Sequence, residues 1–238
     1  MQTENSRQWF YIYTAQQRLE SYYRLPVLAY ERPVHSVGIV INGVKGGVTY
    51  MREPISGPNF AFTGYVYGGR EMSMGTFIHE TAGHAFGLLG DEYSTSGFDP
   101  GQPFEIPDYE ATRLRNEQKK GWYLNLSLTS DPKSVYWAHL IGHPRYPYVG
   151  VLQGGYYYAF GVWRSESYSL MENSTNFYFN TICRELIVRR IMALTGEEYT
   201  FDKFLAKDSD KDRPNLSKSR SQQIKDQERR HQPPIIGE

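Results

Sequence analysis

A single cysteine, Cys183, stands among 238 residues, so no disulfide can close within the chain. That scarcity leaves the redox compartment open. Charge of one sign is not in excess either, because 26 Lys and Arg balance 26 Asp and Glu. Without a net field there is no electrostatic reason to bind nucleic acid or an anionic membrane, and no nucleic-acid partner is expected. No apolar run approaches the roughly 20 residues of a membrane span, and no charged-then-apolar leader opens the sequence. The expectation is a soluble domain with no membrane span. Aromatic and apolar mass is present instead: 15% aromatic and 39% hydrophobic residues suffice for one good-sized core, so one principal domain is the default.

Residues 36–41 (SVGIVI) are rich in β-branched side chains. A turn-like NGVKGG and then GVTYMR follow, which reads as strand, turn and second strand. Another strand is expected over residues 60–67 (FAFTGYVY), before Gly68 and Gly69. Over residues 73–88 the apolar side chains Phe77, Ile78, Ala82, Ala85 and Phe86 predict a buried helix that carries His79 and His84. Residues 94–168 are dense in Gly, Pro and Tyr, with short periodic pieces such as 111–119, and predict long ordered loops. Residues 180–195 form a well-capped helix in this reading, with Asn180 as N-cap and Gly196 as the stop. Past residue 207 the chain is mostly charged, Ser, Gln and Pro; it buries too little apolar area to offset its entropy, and residues 207–238 are expected to be a tail or linker.

The chemistry concentrates in residues 77–93, FIHETAGHAFGLLGDEY. In the usual zinc-peptidase signature, His-Glu-x-x-His on a helix, the four-residue spacing puts both imidazoles on one face and the Glu serves as general base. Here the spacing is five, because Thr81, Ala82 and Gly83 lie between Glu80 and His84. A regular α-helix turns about 100° per residue, so the second imidazole would point about 140° away from the first. A π-type turn of roughly 4.4 residues reduces the offset to about 50°, and Gly83 would ease it. The metal reading therefore predicts a local π distortion. Gly87 and Gly90 then let the chain turn and bring Asp91 or Glu92 back as a third ligand. Two neutral imidazoles and one carboxylate leave zinc a fourth position for water, the catalytic arrangement, with Glu80 as the proton acceptor.

HETAGHAFGLLGDEY resembles the active-site segment of the bacterial IgA-peptidase-type metallopeptidases, an HExxH or HExxGH motif followed by glycine and a Leu-x-Asp-Glu-Tyr group. Upstream, VGIVINGVKGGVTYM is similar to the strand and turn that precede that helix, with Lys45 where an aromatic is usual. Downstream, WRSESYSLMENS resembles the family's Ser-x-Met turn, and FNTICRELIVRRIMALTGEEYTFDKF its closing helix. The resemblance implies an α+β fold of the zincin, metzincin-like type: a small twisted mixed sheet over an active-site helix, then a loop-rich lower part. It places a catalytic domain at residues 34–206, after an N-terminal segment 1–33 of unassigned role. It also implies Zn2+ as cofactor, His79, His84 and Asp91 as ligands, Glu80 as base, Met171 beneath the metal, and an exported chain acting on protein or glycoprotein substrates. Standard metzincins place the third ligand six residues past the second His, which is Gly90 here; Asp91 is favoured and Glu92 is second choice.

Two other function classes fit the same residues: a catalytically silent binding module for glycoproteins, and an exopeptidase, because His-Glu-x-x-Gly-His also marks the dipeptidyl peptidase III family. The Glu-rich second ligand motif of that family is absent. His139 and His143 have helical metal-ligand spacing, yet Gly142 and Pro144 argue for a helix end or loop. Among the tyrosines, including 156–158 and Tyr178, one could stabilise an oxyanion, and the rest are packing residues. Glu92 and Arg184 are expected to pair and fix the turn, Cys183 to be a buried, inert thiol, and residues 60–67 to be a sheet edge that an extended substrate could join.

Overall fold

A computed structural model describes residues 35–42, 47–51, 59–65, 70–95 and 103–208. Residues 1–33, the centre of the NGVKGG turn with Lys45, and the tail beyond residue 208 lie outside the described residues. Helices and two three-stranded sheets make the fold α+β. Among the described residues no helix is long and apolar enough to cross a membrane. The chain divides between Phe86 and Gly87 into two units.

The first unit holds β1 (Ser36–Asn42), β2 (Gly47–Tyr50) and β3 (Asn59–Tyr65), in the order β1-β3-β2. The sheet is mixed, as expected: β1 runs parallel to β3, and β2 antiparallel to it. Strand alternation sorts the side chains by size. Val37, Ile39, Val48 and Tyr50 pack with Phe60 and Phe62 on one face. Gly38, Gly47, Thr49 and Ala61 take the alternate positions, and a Cβ at Gly38 would lie 2.8 Å from Thr81 Cγ2. That small-residue face is what lets the helical segment come close. It begins as α1 (Arg70–Ile78) and continues without a break as a π-helix, His79–Phe86. Strand β3, expected at the sheet edge, is central. Both its sides are hydrogen-bonded, and a substrate strand has no place beside it.

The second unit contains α2 (Asp108–Lys119), β4 (Leu126–Ser127), a 3-10 turn Ala138–Leu140, β5 (Leu152–Gly155) and β6 (Tyr158–Arg164). It closes with α3 (Thr181–Thr195) and α4 (Phe201–Lys207). The antiparallel sheet β4-β6-β5 occupies a stretch for which loops were expected. Its strands leave little periodic signal: β4 is two residues long, β5 is irregular between Gln153 and Gly155, and Tyr156 and Tyr157 turn with φ of 51° and 73°. The main core gathers Leu89, Trp137, Leu140, Tyr146, Met171, Ile182 and Phe204. Helix α3 has the predicted ends: the Asn180 side chain accepts from the Cys183 N–H, and Gly196 is left-handed at φ 74°. The described chain reaches residue 208. Lys207 closes α4, and Asp208 binds Arg184 at 2.7 and 2.9 Å and accepts from Tyr146 at 2.8 Å. Arg184 thus pairs with Asp208 rather than with Glu92, a partner 116 positions nearer the chain end than the expected one.

Candidate metal centre

The helix meets the five-residue spacing by changing type. His79–Phe86, sequence HETAGHAF, is a π-helix of eight residues, longer than the single widened turn the spacing required. Nε2 of His84 lies 3.1 Å from Nε2 of His79, and the two buried rings meet edge to face at 85°. Side chains support both ends of the segment. Thr81 donates to the Phe77 carbonyl at 2.5 Å where α1 gives way to the wider helix, and Asn59 of β3 donates to the Ala85 carbonyl at 2.8 Å. The second bond satisfies an acceptor near a helix end, where the helix supplies no donor of its own.

Glu80 is 6% exposed. Strand β2 holds it from the side: the Thr49 hydroxyl lies 2.6 Å from Glu80 Oε2 and 3.0 Å from the Glu80 carbonyl oxygen. A Cβ on Gly47 would sit 2.5 Å from Glu80 Cγ and 2.6 Å from Oε1. A side chain at 47 would therefore have to displace the Glu80 carboxylate.

In the second unit, the chain leaves the helix by a different residue from those expected. The left-handed position is Leu88, φ 57°, and neither Gly87 nor Gly90 has positive φ. For an L-residue that conformation costs about 1–2 kcal/mol. Gly90 serves contact instead, because a Cβ there would lie 2.6 Å from Leu126 Cδ1. Asn125 clamps its backbone, accepting the Gly90 N–H at 2.8 Å and donating to the Gly90 carbonyl at 2.9 Å.

The two carboxylates that follow have different surroundings. Glu92 is fully buried; its Oε1 accepts from Asn125 at 2.9 Å and Asn180 at 2.9 Å, and its Oε2 accepts from Asn180 at 2.8 Å. Burial pushes its carboxyl pKa up, and the hydrogen bonds from Asn125, Asn180 and Ser169 pull it back. Its backbone N–H donates to the Met171 carbonyl at 2.9 Å, and the Met171 side chain is fully buried in the core. Glu92 is spent on holding the turn. Asp91, 6% exposed, accepts at Oδ2 from the Tyr157 hydroxyl at 2.5 Å. Burial, and next the Asp91 charge, raise the Tyr157 pKa and keep the phenol a donor. The Tyr157 backbone is tied to the same segment, donating to the Tyr93 carbonyl at 3.0 Å.

His79, His84 and Asp91 each offer one ligand atom, and this buried group could hold a metal ion. Among the described residues no other such group of His, Cys, Asp and Glu is found. His139 and His143 are placed apart from metal chemistry: His139 Nε2 pairs with Glu185 at 2.7 Å on the 3-10 turn, and His143 Nδ1 accepts the Arg145 N–H at 3.2 Å. Cys183 is a buried thiol that donates to Glu92 Oε1 at 3.4 Å; burial first, then the Glu92 charge, raises its pKa. It is buried, as expected. Thr49 and Asn125 were not singled out from sequence, and Tyr157 was named only among tyrosines for packing or an oxyanion, because each acts at a separation of 31 to 66 positions and no local spacing marks its role. Comparison of the chain with protein-family models and with curated proteins finds no match.

Proposed function

We propose that this chain is a zinc-dependent peptidase of the zincin fold that hydrolyses peptide bonds of protein or glycoprotein substrates. In this reading His79, His84 and Asp91 bind the metal and Glu80 is the general base. The π-helix carries the proposal, because it brings the two Nε2 atoms within 3.1 Å despite the extra residue. Two nitrogens bound at 2.0–2.1 Å to a tetrahedral zinc stand about 3.3 Å apart, so the imidazole pair fits that ion with little movement. Two imidazoles and one carboxylate are also a zinc-type donor set with room for a further ligand.

Zinc, when bound, supplies Lewis acidity toward a carbonyl oxygen and lowers the pKa of water. The chain's residues do the rest. Glu80 takes a proton from the attacking water and passes it to the leaving amine, within reach because it adjoins a ligand on the same helix. Tyr157 orients Asp91 through the bond to Oδ2. Glu92 stays out of the ligand set, since its oxygens are engaged by Asn125 and Asn180. Met171, in the turn the resemblance assigns to it, supports the segment through the bond from its carbonyl to the Glu92 N–H. Because β3 is central, an extended substrate adds to β2, whose Gly47 and Thr49 border Glu80. Export of the chain belongs with the same reading.

Elemental analysis of wild type and His84→Ala, beside cleavage of a peptide library by wild type and Glu80→Gln, tests the proposal. The expected result is about one zinc per chain, lost in His84→Ala, and cleavage that disappears in Glu80→Gln. Metal without cleavage by the wild type would refute the peptidase reading. Absence of metal would refute the ligand set as well.

A further inference from the structure

We propose that Thr49 is a positioning residue for Glu80: its hydroxyl holds Oε2 and so fixes the orientation of the carboxylate. The inference rests on the peptidase reading and extends it to a strand residue outside the metal-binding segment.

Three observations carry it. The Thr49 hydroxyl is 2.6 Å from Glu80 Oε2 and 3.0 Å from the Glu80 carbonyl oxygen, so its single proton has the carboxylate as its closer acceptor. The donor is itself held in place. Thr49 stands opposite Ala61 in the β2/β3 ladder, and a β-branched side chain has few rotamers, so backbone pairing sets the direction of the hydroxyl. The third observation is Gly47, two residues earlier and so on the same face of β2. A Cβ there would lie 2.6 Å from Glu80 Oε1 and 2.5 Å from Cγ, which means that any side chain at 47 displaces the carboxylate. Strand β2 thus holds the carboxylate by a hydrogen bond at Oε2 and by close packing at Gly47.

The O–H bond of the attacking water breaks as its oxygen bonds to the carbonyl carbon, and the proton passes to the Glu80 carboxylate. The same proton then leaves the carboxylate for the amine nitrogen as the C–N bond breaks. Throughout, Oε2 keeps its bond from Thr49, so the carboxylate holds one orientation for both transfers. A general base must be placed within hydrogen-bond reach of its proton before its basicity matters, which is the work assigned to Thr49.

Thr49 could instead serve only to tie β2 to the helix through the Glu80 carbonyl, and the test separates the two roles. Thr49→Val keeps the shape and removes the hydroxyl, whereas Thr49→Ser keeps the hydroxyl; each is compared with wild type for zinc content, KM and kcat on a quenched peptide. Removing a hydrogen bond to a charged group predicts that kcat of Thr49→Val falls about ten- to a hundred-fold, with zinc content kept and KM within about twofold. Thr49→Ser should restore kcat to within a few-fold. Wild-type kcat in Thr49→Val, or no recovery in a zinc-loaded Thr49→Ser, overturns the proposal; Thr49→Ala replaces the valine variant if that one fails to fold. The carboxyl 13C resonance of Glu80 provides a readout independent of turnover. It should differ between wild type and Thr49→Val and return in Thr49→Ser, and an unchanged resonance refutes the positioning role. If wild type neither binds zinc nor cleaves peptides, the peptidase reading fails on those measurements, while the resonance still decides whether Thr49 holds the carboxylate.

Discussion

Replacing Asn180 by alanine removes one side chain that performs two tasks. Its Oδ1 caps α3 by accepting the Cys183 N–H at 3.1 Å, and its Nδ2 donates to both oxygens of Glu92 at 2.9 and 2.8 Å. Loss of the cap costs about 1 kcal/mol. Glu92 has no exposure to water, so among the described residues its oxygens retain Asn125, Ser169 and the Cys183 thiol, and the shortfall costs about 1–3 kcal/mol. Together the loss is about 2–4 kcal/mol. For a protein of this size it lowers Tm by roughly 5–15 °C. Tryptophan fluorescence is a suitable probe, because Trp122, Trp137 and Trp163 all lie in the second unit with Asn180. Asn180→Ser keeps a cap acceptor and should recover about the 1 kcal/mol of the cap and no more. A double-mutant cycle of Asn180→Ala with Glu92→Gln isolates the remainder, and a coupling of about 1 kcal/mol or more is expected. Additive effects, or a loss below about 1 kcal/mol in Asn180→Ala, would show that Glu92 does not depend on Asn180, and the structural role given to Glu92 would fall.

Glu166 is 3% exposed, and burial pushes its pKa up to about 7 although the Thr181 N–H donates to its Oε1 at 2.7 Å. Because the folded state binds this proton more tightly than the unfolded chain, stability is greatest below about pH 4.5 and falls as pH rises to about 7, by about 3 kcal/mol from this group. Glu166→Gln should remove that slope in urea denaturation at pH 4.5, 6 and 8, and an unaltered slope would contradict the assignment. Tyr157→Phe removes the donor to Asp91 and should weaken zinc binding about 10–100-fold in chelator competition, with unchanged affinity counting against Asp91 as ligand. Gly90→Ala forces a methyl to within 2.6 Å of Leu126 Cδ1 and should cost about 1–3 kcal/mol in the same denaturation assay; a neutral result would mean that the turn is looser than described.

Local chemistry was legible where its cause lies within a few residues. For one metal to bind both His79 and His84 across their five-residue step, a widened helix was expected, and the π-helix His79–Phe86 is there. The ends of α3 followed from Asn180 and Gly196, whose capping roles depend on neighbours three or four positions away. Strands β1, β2 and β3 were readable from β-branched and aromatic runs, but their order was not, and β3 proved central. The second sheet escaped because Gly154, Gly155 and Gly161 and the left-handed tyrosines 156 and 157 break the period of two from which a strand is inferred.

The sequence by itself determined that this segment carries two imidazoles, a carboxylate between them and two further carboxylates within thirteen positions of His79, and that one ion could bind both imidazoles only if the helix departed from the α form. Those properties follow from residue type and rotation per residue, which need no distant partner. Only the tertiary structure decided which carboxylate is spent on packing, which hydroxyls hold the others and which cation Asp208 answers. Those roles depend on Asn125, Asn180, Tyr157, Thr49 and Arg184 arriving from 24 to 88 positions away, and hydrogen bonds and burial are settled by distance in space, for which distance along the chain is no guide.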